Sequence, residues 1–487
     1  MRALRALGLL ALAGALAATS AAKPVVFGVV AATFGLITIW RRPDIALETG
    51  VVLALTVRPW VDVFSERSAG LGPFVPNPAV LLGLLVLGIA GVHAVRRIRI
   101  RAPLWPDQRL WHAHLFLMAA YGIAMVSGAR LYGSAGFSQG IREIVRVGSI
   151  IAAFLLVLWW VNESPVRFRR GWLYLLVGLI GTIGVALWQL ATDTGFLETI
   201  GLNRLQGTLS HPNSFGQYLV PFVLFALGAA VSASGVKRLL LLLGAATLTW
   251  LILLTYSRTV FFVLATGLVA LPVLHARQFG VRGLARTLAV LLLVVAAGWL
   301  LAGSVVRERF ANLSLGRNAL DAALSGASEN SYEWRLINWG VLIDLGLEHP
   351  VTGHGAGMTT VLNPIVDVDN GVPYNAHNDF VRFFFEAGLL GLASYMVYAV
   401  LLCLWAIRRA RVAGPDNTPG AFAVAAAWLA MLLLSAGNTE LSLHTSNLYT
   451  LYGMLALVTG GTPLAVPTSP TSHQVVERTN AIDRRWT

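Results

Sequence analysis

The feature that most limits this chain is a run of about twenty apolar residues that recurs along its whole length, separated by short polar links. Such a run is long enough to cross the hydrocarbon core of a bilayer as a helix. Lipid offers no partner to a backbone N–H or C=O, so only helices and closed barrels cross it. A barrel would show segments of about ten residues with alternating polarity, and none are found. Only 12% of the residues are charged, against about 25% in a soluble domain. The reading is an all-α polytopic membrane protein.

Apolar spans fall near 4–21, 24–40, 46–59, 78–95, 110–128, 141–161, 171–191, 213–233, 237–254, 259–276, 285–303, 379–406, 420–437 and 446–461. That predicts about 12–14 transmembrane helices. Charge in the links orients them. With the N-terminus inside, one face collects Arg41-Arg42, Arg96 to Arg101, Arg167 to Arg170, Lys237-Arg238, Arg277 to Arg286 and Arg408 to Arg411. Arg-rich short links mark the cytoplasmic side. The same pattern accounts for the net charge of +13 without nucleic acid as a partner. The apolar run after Met1-Arg2-Ala3-Leu4-Arg5 resembles a secretory signal. A second span follows it at once, so it is read as an uncleaved first span.

The opposite face then holds 60–77, 129–140, 192–212, the tight turn Thr255 to Arg258, 304–378 and 438–445. Polar groups kept beside a membrane are where function is expected. The first concentration runs from Gly201 to Gln217. Pro212 and Asn213 suit the first turn of a helix, and the amino end of that helix favours an anion. Arg204 adds a planar fork of donors suited to phosphate; the alternative is a surface arginine beside an ordinary helix start. Arg258, in Tyr256-Ser257-Arg258-Thr259, either snorkels to headgroups or joins Arg204 on a pyrophosphate.

The long segment 304–378 carries a helical spacing of apolar residues from Ser331 to Leu345, then a break at His349-Pro350-Val351-Thr352-Gly353-His354-Gly355-Ala356-Gly357. Its glycines allow a tight turn or close approach to a ligand. His377 and Asn378 open the next span, and Asp379, Arg382 and Glu386 follow at helical pairing distance. His377 is either a cap or a group that takes and returns a proton near neutral pH.

Metal chemistry finds little support. The lone cysteine, Cys403, lies in an apolar run, and His211, His349, His354 and His377 lack the close spacing of a zinc site. Asp367-Val368-Asp369 has the look of an acidic pair for a divalent ion, but sits on the face where nucleotide sugars are not supplied. No cofactor is expected.

Taken together, these blocks resemble the O-antigen ligase and O-antigen polymerase superfamily of bacterial membrane glycosyltransferases. The resemblance runs from about Arg204 to Gly391. It rests on Arg204 to Gly207 with His211-Pro212-Asn213, on Ser257-Arg258-Thr259, on Arg335 with Trp339 and the His349 to Gly355 block, and on His377-Asn378 followed after nine residues by Gly388-Leu389-Leu390-Gly391. It implies metal-independent, inverting transfer of a glycan from a polyprenyl (undecaprenyl) pyrophosphate carrier to an acceptor hydroxyl. By this similarity Arg204 and Arg258 hold the pyrophosphate with Arg335 assisting, and His377 removes the acceptor proton or orients the acceptor. His211, Asn213, Asn378 and His354 are supporting residues. The implied partners are the lipid-linked glycan donor, a glycan, lipid or protein acceptor, and the bilayer itself.

Three regions follow: N-terminal spans over 1–200, a ligase-like core over 201–461 with the external loop 304–378, and a disordered cytoplasmic tail over 462–487. The expected location is the cytoplasmic membrane, with the site facing the periplasm or the exterior. A polymerase that extends another carrier-linked glycan is the alternative. A transporter of lipid-linked glycan would instead bury charge along its spans.

Overall fold

The structure is a computed structural model that describes residues 42–67, 78–105, 107–193, 197–199, 202–274, 331–366, 373–413, 418–437 and 445–460, with scattered positions between 275 and 290. The expected spans 4–21, 24–40 and 285–303, the Asp367–Asp369 pair and the tail lie outside these residues.

The described chain is helical. It begins with α1 (Pro43–Val52), a π-helical turn (Leu53–Val57) and α2 (Arg58–Arg67). Then come α3 (Pro78–Arg99), α4 (Gln108–Asn162) and α5 (Pro165–Thr192). A small antiparallel hairpin, β1 (Leu197–Thr199) and β2 (Leu202–Arg204), pairs Leu197 with Arg204. The second half holds α6 (Pro212–Ser232), α7 (Gly235–Leu253) and α8 (Arg258–Leu274). It ends with α9 (Ser331–Gly346), α10 (Thr359–Leu362), α11 (Asp379–Val412), α12 (Thr418–Leu434) and α13 (Thr445–Gly460). Six of the described helices, α3 to α7 and α11, are long and apolar enough to cross a membrane. The protein is a polytopic membrane protein, and Leu239, Leu240 and Leu243 on α7 with Phe262, Val269 and Val273 on α8 stand exposed on its flank.

Two sequence expectations need correction. The link 129–140 joins two limbs as expected, but it is helical on both sides of its turn, so that α4 counts 55 residues. A straight helix of that length would measure about 80 Å. The chain turns back instead at Gly133, whose φ of 62° is open to glycine. Beyond the turn, a Cβ at Gly136 would meet the carbonyl oxygen of Gly128 at 2.1 Å and one at Gly140 would meet Met125. The limbs 108–132 and 134–162 therefore lie side by side.

The run 379–406 is likewise not one straight span. Gly388 has φ 63° and ψ −157° inside α11. The short limb 379–387 folds back along the start of 389–412. Phe383 stacks on Tyr395 at 4.2 Å, and the Tyr395 hydroxyl donates to Asp379 at 3.1 Å. The amino end of the short limb therefore lies level with Tyr395 rather than at the tip of the helix.

The core sits where α4, α11 and α13 meet, with Phe154 edge-on to Trp405 and Tyr452, and Tyr452 edge-on to Trp428 of α12. On the other side α6 is buried between α7 and α12. Gly420 of α12 packs on Phe225 in the later half of α6. Near the start of α6, Gln217 accepts a hydrogen bond from Asn447 at the start of α13. The beginning of α6, the end of α12 and the beginning of α13 thus share one end of the bundle.

Candidate active site

Two clusters occupy that end. The first is built on Arg204, the last residue of β2. Its guanidinium is buried, and its Nε donates to the Thr255 carbonyl at 2.9 Å while one Nη donates to Asn213 Oδ1 at 2.9 Å. These two partners are neutral oxygens, which help to fix the plane of the fork. Asn213 is set in turn by His211, which caps α6 by accepting the Asn213 N–H on Nδ1 at 3.0 Å. An acceptor at Nδ1 leaves the ring proton on Nε2. Pro212 follows at the first helical position, as its missing N–H allows.

Thr255 belongs to the turn between α7 and α8. The backbone of Leu205 donates to Leu254 at 3.1 Å, so the strand end and this turn are joined by main chain as well. Tyr256 takes a left-handed φ of 50°, and the Ser257 hydroxyl caps α8 by accepting from Val260 N–H at 3.3 Å. Arg258, half-buried, is the first residue of α8. The structure therefore brings Arg204, His211, Asn213 and the Arg258 turn into one assembly.

The second cluster surrounds His377. The segment before it is fastened from one side by α9. Trp339 Nε1 donates to the Ala376 carbonyl at 2.7 Å, and Asn338 donates to the Asn375 carbonyl at 3.0 Å. From the other side it meets the turn after α12. Asn378 donates to the Ala436 carbonyl at 2.8 Å, and its Oδ1 caps α11 by accepting from Phe380 and Val381. The Asp379 N–H donates to Ser435 at 2.8 Å, and Arg335 Nη1 donates to Gly437 at 2.9 Å. Arg335 and Asn378 are thus held by adjacent carbonyls. His377 itself has φ 49°, a left-handed conformation uncommon outside glycine. A strained backbone at a fastened position is a feature of functional sites.

His354 lies apart from both clusters. It is buried, its Nδ1 lies 2.6 Å from the Tyr132 hydroxyl, and its Nε2 lies 2.8 Å from the Leu345 carbonyl. Its ring stacks on Phe385 at 4.8 Å. Both nitrogens are engaged in fastening the glycine loop 350–357. That loop repairs the break in α11. His354 and Gly355 N–H donate to the Phe385 and Glu386 carbonyls at 2.9 Å, and Leu389 donates back to Pro350 at 2.8 Å. A Cβ at Gly353 would sit 2.3 Å from the Glu386 carbonyl carbon, and one at Gly388 2.3 Å from that of Val351. Glycine is required at both by contact with backbone.

A charged network beneath the site was not legible in sequence beyond the spacing of Arg382 and Glu386. Arg382 is buried and donates to Glu386 at 2.9 Å and to Glu143, on the second limb of α4, at 2.9 Å. Arg146 pairs with the same Glu143, and the Thr359 hydroxyl donates to Glu386 at 2.8 Å. Two cations and two carboxylates balance where desolvation is costly. Among the described residues no three His, Cys, Asp or Glu side chains gather as a metal site would need.

The family model described as O-antigen ligase matches residues 243–396. The chain carries a domain of the O-antigen ligase family. The matched stretch contains Arg258, Arg335, His354, His377 and Asn378 and ends just after the break at Gly388. Arg204 precedes the O-antigen ligase match, but its guanidinium is bonded to Thr255 inside it. A search of curated proteins finds no match. Together with the membrane architecture, the O-antigen ligase domain supports a membrane glycosyltransferase of the ligase and polymerase type.

Proposed function

We propose that this protein transfers a glycan from polyprenyl (undecaprenyl) pyrophosphate to an acceptor hydroxyl at the outer face of the cytoplasmic membrane, without a metal and with inversion. The observation that carries the reading is the Arg204 fork, held by neutral oxygens against the turn that starts with Thr255 and delivers Arg258. In the reaction the acceptor oxygen bonds to the anomeric carbon while the bond to the pyrophosphate oxygen breaks. Negative charge grows on the leaving group, and fixed guanidinium groups in a partly dry site are suited to stabilise it. His377 takes the proton that the acceptor oxygen gives up. Arg335, fastened beside Asn378, adds to the anion grip.

Purified protein, a carrier-linked glycan and candidate acceptors, with products resolved by size, test this directly. A single addition to a second molecule marks a ligase, and a ladder of repeat units marks a polymerase. The reaction should proceed in EDTA. Loss of transfer on chelation would sink the metal-free reading and return attention to Asp367 and Asp369.

A further inference from the structure

We infer that Trp334 and Tyr374 form a sugar-binding corner beside His377 that receives a pyranose ring of the acceptor. This rests on the transfer reaction proposed above and deepens it by naming where the acceptor lies. Trp334 is in the first turn of α9, and its ring meets that of Tyr374 at 4.6 Å and 69°, and that of His377 at 5.6 Å and 73°. Two near-perpendicular contacts on one indole make an angular wall, with His377 as one side of it.

The corner is distinct from the packing below it. Leu342, Met358, Ala376, Val381 and Phe385 form a small buried apolar cluster, whereas Trp334, Tyr374 and His377 are each only half-buried. The backbone beneath is satisfied from within, since Asn363 donates to the Tyr374 carbonyl at 2.8 Å and Trp339 to that of Ala376. The main chain there is thus held by side chains other than Trp334 and Tyr374. One polar atom in the segment points to a hydroxyl-bearing guest: Asn375 Oδ1 is buried and has no hydrogen-bond partner among the described residues.

The chemistry matches a sugar. A pyranose presents an apolar face of C–H bonds, which packs on the electron-rich face of an aromatic ring, and an edge of hydroxyls that donate hydrogen bonds. The corner adjoins the proton acceptor rather than the Arg204 fork, so it suits the sugar whose hydroxyl attacks, not the pyrophosphate of the donor.

The test uses the full-length protein in nanodiscs with no lipid-linked donor, so that binding is read without turnover. The probes are free gluco-, galacto- and mannopyranose trisaccharides, followed by quenching of intrinsic fluorescence. At least one should bind saturably to the wild type. Trp334→Leu, which keeps apolar bulk but removes the ring, should weaken binding about tenfold, the equivalent of one aromatic contact. Trp334→Phe should restore most of it, and Tyr374→Leu should behave like Trp334→Leu. In transfer assays Trp334→Leu should raise the acceptor KM more than it lowers kcat. Binding by none of the trisaccharides, or equal binding by wild type and Trp334→Leu, overturns the inference. Binding without transfer would count against the proposed reaction and leave the corner standing.

Discussion

Arg204 Nε lies 2.9 Å from the carbonyl oxygen of Thr255, three residues before Arg258. This hydrogen bond ties Arg204 to the turn that leads into Arg258, on a separate element. If the pair grips a pyrophosphate, each should be needed and neither should be replaceable by a point charge. Arg204→Lys and Arg258→Lys are expected to lower transfer by about a hundredfold or more, the scale seen for loss of one preorganised donor. Rates measured on carrier-linked donor, with folding checked by size exclusion, decide it. Near-normal activity in Arg204→Lys would remove the fork from the mechanism.

His377 should separate chemistry from folding. The segment around it is fastened by Trp339, Asn338 and Asn378 through main-chain carbonyls. His377→Ala is expected to express and fold normally and to lose about 10²–10⁴ in kcat, the span of a general base. A fully active His377→Ala would show that another group takes the proton.

Gly388 should be intolerant of any side chain. Its φ of 63° with ψ of −157° is a combination that essentially only glycine adopts, and a Cβ there would stand 2.3 Å from the Val351 backbone, which leaves no space. Gly388→Ala is expected to cost about 1–3 kcal/mol from backbone strain alone, seen as a lower unfolding temperature in detergent. An unchanged Tm would mean that the break can relax.

The network under the site predicts strong coupling. Arg382→Met leaves Glu386 without its cation and Glu143 with Arg146 alone, and should destabilise by about 3–5 kcal/mol, whereas the triple change with Glu143→Gln and Glu386→Gln should recover much of the loss. Thermal unfolding of the single and triple variants measures the difference. Additive losses would show that the charges act independently.

What could be read without coordinates was what depends on neighbours in sequence. The apolar runs marked the long helices, Pro212 and Asn213 marked the start of α6, and Arg382 and Glu386 are one turn apart. The reversal near Gly133 was expected from the polar link 129–140, but not that the residues around it would be helical on both limbs. The reversal at Gly388 was masked because both of its limbs are apolar and read as one span. Glu143 could not be assigned to Arg382, since the two are 239 positions apart. The carbonyls of Ser435, Ala436 and Gly437, which align Asp379, Asn378 and Arg335, are backbone and carry no side-chain signature at all.

The fold-back of residues 379–387 sets how deep the chemistry lies. Asp379 is bonded to Tyr395 rather than standing at the Gly388 tip, a drop of about 10 Å at roughly 1.5 Å per residue. An activated sugar can be captured by water as readily as by another sugar, and hydrolysis would waste a lipid-linked chain. If His377 takes the proton as proposed, its depth below the Gly388 tip makes an acceptor's length its means of entry.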